Sequence, residues 1–457
     1  MRSCSVLGRW LLLATSLSGC KQEPPPTPAV GATGTSAAQA AASVRKAPKE
    51  PKALAAIPLP PQLGGPYNVL FILIDSLRWD MPWAGYPRDI APRLTAFARE
   101  WALFPRAYSL SSYTAKSVVP ALAGKYPSEM LRDAFFFTRW MPENLLVSEM
   151  AQSAGHRTLA GHGHGYFMPG LGVNQGYDDY RLLPGTFLDN TGVHDVNSDR
   201  LNALAKQMLS KPENVQQADG KRFFAYFHFL DPHFSYHKHP GHPDFGNKSR
   251  DLYDNEVHFT DHWVGDLIDF VLAAPWGKDT AIIVSADHGE GFGERGRFRH
   301  AYDVWESLVR VPLLVRVPGA APRRIELARG HIDLAPTIAE LMGLKGEAFR
   351  GQSLVPELLG AAPTPRPVLV DLPRADLMDR RRAFIDGEHK LIVFGDEQAF
   401  ELFNVLKDPT EEHELSREQP ALFETMKRGY AELARTIPNV DVVGPGKLKG
   451  APPGQRW

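Results

Sequence analysis

Residues 68–75 read Asn-Val-Leu-Phe-Ile-Leu-Ile-Asp, six apolar side chains in unbroken succession that end on a carboxylate. A strand with one wet face alternates apolar and polar residues. A strand covered on both faces does not, and that is the condition of a parallel sheet sandwiched between helices. Three further runs, 223–231, 280–287 and 310–316, have the same character. Helical periodicities at 144–153, 199–209 and 257–272 lie between the runs. Strands alternating with helices predict an α/β fold, doubly wound around a mostly parallel sheet, over residues 65–360. No internal repeat is evident. Beyond residue 360 the pattern changes. Ala362-Pro-Thr-Pro-Arg-Pro367 reads as a linker, followed by short strand candidates at 383–386 and 390–394 and a helix near 420–436. A small C-terminal α+β subdomain is expected over 361–440, then a loose Gly/Pro/Lys-rich tail over 441–457.

The 457 residues suffice for this body and its appendage. Lys and Arg total 51 against 52 Asp and Glu, so no charge surplus points to nucleic acid. Only two cysteines occur, Cys4 and Cys20. The folded body therefore has no disulfide, thiolate metal site or cysteine nucleophile. The first residues read as an export signal: Arg2 and Arg9, a short apolar stretch to Leu17, then Leu17-Ser18-Gly19-Cys20. That stretch is too short to span a bilayer as a mature helix. Leu-Ser-Gly-Cys resembles a bacterial lipobox, which implies cleavage after residue 19 and lipidation of Cys20; the alternative is an ordinary secretory peptide. Lys21 and Gln22 after the cysteine resemble the sorting pattern for the outer membrane. Residues 20–64, rich in Pro, Ala, Thr and Lys, have too few large apolar side chains to fold and read as a tether. An exported protein of the cell envelope, lipid-anchored and facing the periplasm, is the expectation.

In an open α/β sheet the reactive crevice lies beyond the carboxyl ends of the strands. Asp75, Asp287 and His288 fall there. Asp287-His288-Gly289-Glu290 turns two potential ligands out of one bend, and carboxylate oxygen with imidazole nitrogen suits zinc, manganese or a similar divalent ion. A single strand-end Asp is often a helix cap; two such strands ending this way argue for a site.

These segments also resemble a known family. Asn68 to Asp75 with Ser-Leu-Arg after it, Asp231-Pro-His233, Asp287-His-Gly-Glu, Arg310-Val-Pro-Leu-Leu-Val, His331-Ile-Asp-Leu-Ala-Pro-Thr337, Arg350-Gly-Gln-Ser-Leu, Glu388-His-Lys-Leu-Ile392 and Glu401-Leu-Phe-Asn follow the order found in sulfatases of the alkaline phosphatase superfamily. The resemblance covers about residues 67–415 and implies that family's fold, with one bound divalent metal ion (Zn, Mn, Ca or Mg). Two departures matter. Sulfatases carry Cys or Ser, in a Cys/Ser-x-Pro-x-Arg motif, as the precursor of formylglycine. The matching position, counted back from Gly124-Lys-Tyr-Pro127, is Thr114, followed by Ala-Lys116-Ser-Val. Sulfatases also usually have two adjacent Asp where this chain has Asp75-Ser76, which favours a smaller ion over a many-oxygen calcium cage.

Threonine at this place is similar to lipid A phosphoethanolamine transferases and lipoteichoic acid synthases. The resemblance implies Thr114 as both nucleophile and metal ligand, beside Asp75, Asp287 and His288. A divalent cation would activate the alcohol, and the start of a helix would receive phosphate charge. The competing reading is a simple helix cap. The resemblance also assigns His233 and His300 to steadying the transferred group or protonating the leaving oxygen. Lys116 either neutralises substrate charge or is a solvated helix residue. His228, inside a strand, is expected to be satisfied and half-buried. Gly161-His-Gly-His-Gly165 reads as a flexible loop outside the metal site.

Three functions follow. The first is a hydrolase or transferase of phosphate esters or diesters acting through Thr114. The second is a sulfuric ester hydrolase without formylglycine, and the third a silent lipoprotein that binds a sugar or lipid headgroup. The threonine relatives carry several membrane-spanning helices, which this sequence lacks, so hydrolysis and transfer both stay open. The expected partners are an ester substrate, an envelope lipid headgroup or glycan, and the membrane through the N-terminal lipid.

Overall fold

A computed structural model of the chain describes residues 65–184, 197–216, 220–344, 349–376, 378–440 and 442. The signal segment, Cys20, the 20–64 tether and nearly all of the 441–457 tail lie outside the described residues. All described residues belong to one unit, Lys52–Trp457.

The opening run forms strand β1 (Asn68–Ile74), buried along its whole length. It sits inside an eight-stranded sheet. Its neighbours are β3 (Phe223–Phe229) on one side and β4 (Thr280–Ala286) on the other, both parallel to it. β2 (Arg157–His162) pairs in parallel with β3, and a short strand, Asp179–Leu182, closes that edge. On the far side β5 (Leu313–Arg316) runs antiparallel to β4, followed by Ala102–Leu103 and Arg323–Arg324. Because β1, β3 and β4 are mostly apolar and buried at every position, no face of theirs can be left to water. Helices supply the cover. Pro92–Glu100, Ser198–Leu209 and α2 (Ser249–Ala273) form one mutually packed layer; α1 (Thr114–Ala123), Val147–Ser153 and Leu334–Leu341 form another. The architecture is the α/β class expected.

The run 310–316 is not one strand. It breaks at Pro312 into Arg310–Val311, which joins a separate three-stranded sheet, and β5. Proline has no N–H to offer a ladder, so the break falls where pairing changes sheets. Toward the C-terminus four antiparallel strands (Val368–Leu372, Arg381–Asp386, His389–Phe394, Ala399–Asn404) form a small sheet, with the helix Pro420–Ala434 packed on it. Its apolar residues continue the core of the main body. No helix among the described residues is long and apolar enough to cross a membrane.

Candidate metal centre and active site

Strand register brings the chemistry together. Ile74 lies beside both Phe229 and Ala286, so β1, β3 and β4 end level and release Asp75, Leu230 and Asp287 at the same height. Parallel strands in register thus concentrate their C-terminal residues in one crevice. Ser76 then turns the chain away with φ 59°, a left-handed conformation uncommon outside glycine. Its N–H donates to Asp287 Oδ1 at 3.3 Å and its hydroxyl to Asp75 Oδ1 at 2.9 Å. At the other bend there is no room for a side chain at Gly289. A Cβ there would lie 2.1 Å from the Ser307 carbonyl oxygen, so the glycine lets the loop bearing Asp287 and His288 lie flat on its neighbour.

Asp75, Asp287 and His288 are fully buried. His288 Nε2 stands 3.5 Å from an oxygen of each carboxylate. Thr114 joins them from the first turn of α1. Its hydroxyl donates to Asp75 Oδ2 at 3.3 Å and lies 3.3 Å from His288 Nε2. Thr114 does not cap its helix: α1 starts at this residue, and no side chain caps it. The helix is fixed to the second ligand loop by Ser117, whose hydroxyl donates to the Asp287 carbonyl at 2.6 Å. The four residues grouped by sequence therefore meet in space.

A fifth residue enters that sequence reading set aside. His228 is not half-buried but wholly buried, and it faces the carboxylates. Its Nε2 is 3.3 Å from Asp75 Oδ2 and 3.8 Å from Asp287 Oδ2, while Nδ1 meets the Tyr226 hydroxyl at 2.9 Å. Asp75, His228 and Asp287 present one ligand atom each within 4.8 Å of one another. The one available signal was an imidazole inside an otherwise apolar strand, which requires partners where it is buried.

Electrostatics agree with a cation at this point. Burial alone would raise Asp75, but His233, the bond to His228, and His288 outweigh it and hold the carboxyl well below its usual range. Asp287 moves the other way, pushed well above the ordinary value by burial and then by the charge on Asp75. Two carboxylates this close in a dry site cannot both ionise without a counter-charge. Asp287 Oδ2 has no hydrogen-bond partner. Burial lowers His288 to about 3, which leaves its imidazole neutral and able to ligate. Two carboxylate oxygens, one or two imidazoles and an alcohol form a donor set suited to zinc or manganese. Asp75, His228, Asp287 and His288 would hold such an ion, with Thr114 beside it.

His233 and His300 stand beside the cluster. The His300 ring lies 4.3 Å from that of His288 and 5.0 Å from that of His233, centroid to centroid. His300 Nδ1 meets Glu290 at 3.2 Å. Burial opposes a charge on His300, but the Glu290 carboxylate prevails and raises its pKa. His233 is shifted down, chiefly by burial, and its Nδ1–H donates to the Phe234 carbonyl at 2.7 Å. The 161–165 segment is not a flexible loop. His162 ends β2 and stacks on Phe167 at 4.2 Å, while His164 accepts the Tyr166 N–H at 2.9 Å and faces the His233 ring at 5.9 Å. Five glycines and histidines in a row hid a strand end.

The structure does not bring Lys116 to this group, nor is it solvated. Its side chain is buried with its amine on the Thr138 hydroxyl. Burial first, then Arg132, pushes its pKa from 10.5 down to about 7. A base lowered in the folded state opposes folding wherever the unfolded chain carries its proton. That penalty is full below about pH 7, fades between 7 and 10.5, and vanishes above. Lys116→Met should therefore raise the melting temperature, most at about pH 6 and little at about pH 10. The gain has a ceiling of roughly 5 kcal/mol and is about 1–3 kcal/mol after the lost hydrogen bond. Thermal melts of both proteins across that range check this, and no gain at low pH would contradict it.

Comparison with known proteins fits this geometry. The sulfatase family model matches residues 67–344. The chain belongs to the sulfatase family. A second family model, the N-sulphoglucosamine sulphohydrolase C-terminal region, matches residues 293–436. Among curated relatives, choline-sulfatase of Rhizobium meliloti is 32% identical over 168 residues, 36% of this chain and 32% of that protein. The ulvan-active sulfatase of Formosa agariphila is 25% identical over 61% of each. The matches thus span about a third to three-fifths of those relatives. Among solved structures, Ps i-CgsB in complex with k-i-k-neocarrahexaose superposes with a TM-score of 0.66 at 20% identity, over 81% of this chain and 93% of that one. The phosphonate monoester hydrolase of Silicibacter pomeroyi does so at 0.63 and 21%, over 81% and 95%. At such identities the superpositions establish the fold of this sulfatase-family chain.

Proposed function

We propose that this sulfatase-family protein hydrolyses or transfers a phosphate ester or diester, with Thr114 as nucleophile. The observation that carries this reading is the Thr114 hydroxyl. It is diverted from capping its helix and set 3.3 Å from both Asp75 and His288. A divalent ion bound there would lower the hydroxyl's pKa and offset the two carboxylates. Thr114 Oγ1 attacks phosphorus and forms the new O–P bond, passing its proton toward Asp75 Oδ2. The bond from phosphorus to the departing alcohol breaks. His300 and His233 have environments that drive their protonation apart, the mark of an acid and base pair. Raised by Glu290, His300 is the acid that protonates the departing oxygen. His233, neutral and with Nδ1–H committed to Phe234, keeps Nε2 free to take a proton from the water or alcohol that releases phosphothreonine. The open first turn of α1 receives the phosphoryl charge.

A sulfuric ester is the second reading, favoured by the sulfatases among its relatives. Sulfate placed on an unmodified threonine would be slow to leave. Side-by-side rates on an aryl phosphate diester and an aryl sulfate decide between the two. Faster diester cleavage is expected, and faster sulfate cleavage would reverse the ordering. The acceptor side is an envelope lipid headgroup or glycan. Leu17-Ser18-Gly19-Cys20 supports display on the membrane surface through a lipid on Cys20. Cys20→Ser should then lose both acyl labelling and membrane-fraction recovery, and unchanged labelling would refute the anchor.

A further inference from the structure

α2 carries His258 and His262 one turn apart, so their side chains share a face. Over that face lies the segment that leads from His233 into α2, and it contributes His242. The Nδ1 atoms of His242 and His258 face each other at 2.8 Å. The His242 and His262 rings are 5.8 Å apart. Two Nδ1 atoms in contact can carry at most one hydrogen between them, so at least one lone pair points into the gap. Burial and neighbouring imidazoles lower His242 to about 4; burial also lowers His258. Both are therefore neutral ligands at ordinary pH. The charge of Asp89 acts on His258 from the adjoining loop. His262 is exposed, its ring packed edge-on against Trp263 at 4.8 Å, and it would turn toward the pair to complete the set. These groups share no residue with the Thr114 cluster.

We propose that His242, His258 and His262 form a second divalent metal site selective for an imidazole-seeking ion of the zinc class. Three imidazoles leave one position of a tetrahedral set for water, and i, i+4 histidines on a helix are a stiff chelating base. The ion would staple the segment containing His233 to α2 and hold the lining of the active site in place. The proposal is independent of the role given to Thr114.

Zinc counting on the full chain tests it. The protein is loaded with zinc, dialysed, and measured by elemental analysis alongside His258→Ala/His262→Ala, His242→Ala and Asp287→Asn. Both histidine variants should lose one equivalent relative to the parent, and Asp287→Asn should keep it. The substituted side chains are exposed or half-buried, so melts without zinc should match the parent, while the zinc-induced rise should shrink. Equal zinc in the parent and both histidine variants would overturn the site, as would a parent that binds none.

Discussion

Thr114→Ala should reduce kcat/KM toward phosphate diesters by about 10³-fold or more, with melting temperature and metal content nearly unchanged. The two consequences separate because Thr114 makes little of the fold. It is the first residue of α1, and the shorter bond from Ser117 to the Asp287 carbonyl still ties the helix to the ligand loop when the Thr114 hydroxyl is gone. Removing one hydroxyl and one methyl at the edge of a crevice leaves Asp75, His228, Asp287 and His288 as they were. What disappears is the only alcohol in contact with both Asp75 and His288 among the described residues. Thr114→Ser keeps an oxygen in place and should retain most of the activity, so the pair of variants distinguishes loss of a nucleophile from loss of shape. Mass spectrometry of a quenched reaction should find phosphate on the 107–125 peptide in the parent and Thr114→Ser, and none in Thr114→Ala. Turnover persisting in Thr114→Ala would remove the nucleophile from the mechanism, whatever the metal does.

Sequence and structure agree where an element is decided by its own residues. β1 and β4 are mostly apolar and are each followed by a carboxylate, so both their burial and the position of Asp75 and Asp287 follow from local pattern. Thr114 lies on a helix with no local sign of chemistry, and only the order of family segments singled it out. His228 was missed because its place beside the carboxylates depends on strand register. It falls within β3, and the pairing of Leu73 with His228 aims its ring at Asp75. Glycine density misdirected the reading of His162, which pairs with His228 of β3, and of His164, which caps the short turn at 165–167. In the C-terminal sheet the two middle strands were readable, whereas the outer pair, Val368–Leu372 and Ala399–Asn404, were not. Edge strands owe their form to a neighbour more than to their own pattern.

Asp287→Asn should abolish stoichiometric metal binding at the Thr114 cluster and yet melt higher than the metal-stripped parent. Without an ion, the parent holds two buried carboxylates that share His228 and His288 as neighbours, and Asp287 bears the strain because burial and Asp75 both oppose its charge. An amide has no charge to lose. It keeps an oxygen for the Ser76 and His288 N–H groups that Asp287 Oδ1 accepts. The metal-free ranking should therefore favour the variant by about 1–3 kcal/mol, the scale of a relieved buried like-charge contact. Adding zinc to a large excess over its dissociation constant should reverse the order. Binding to the native state alone adds about 4 kcal/mol at a thousandfold excess, and only the parent has the site to gain from it. Because the histidine cluster on α2 would respond to zinc in both proteins, the comparison is best made in the His258→Ala/His262→Ala background. There, a parent that gains nothing from metal, or an amide variant less stable than the stripped parent, would mean that the two carboxylates are not arranged around a cation.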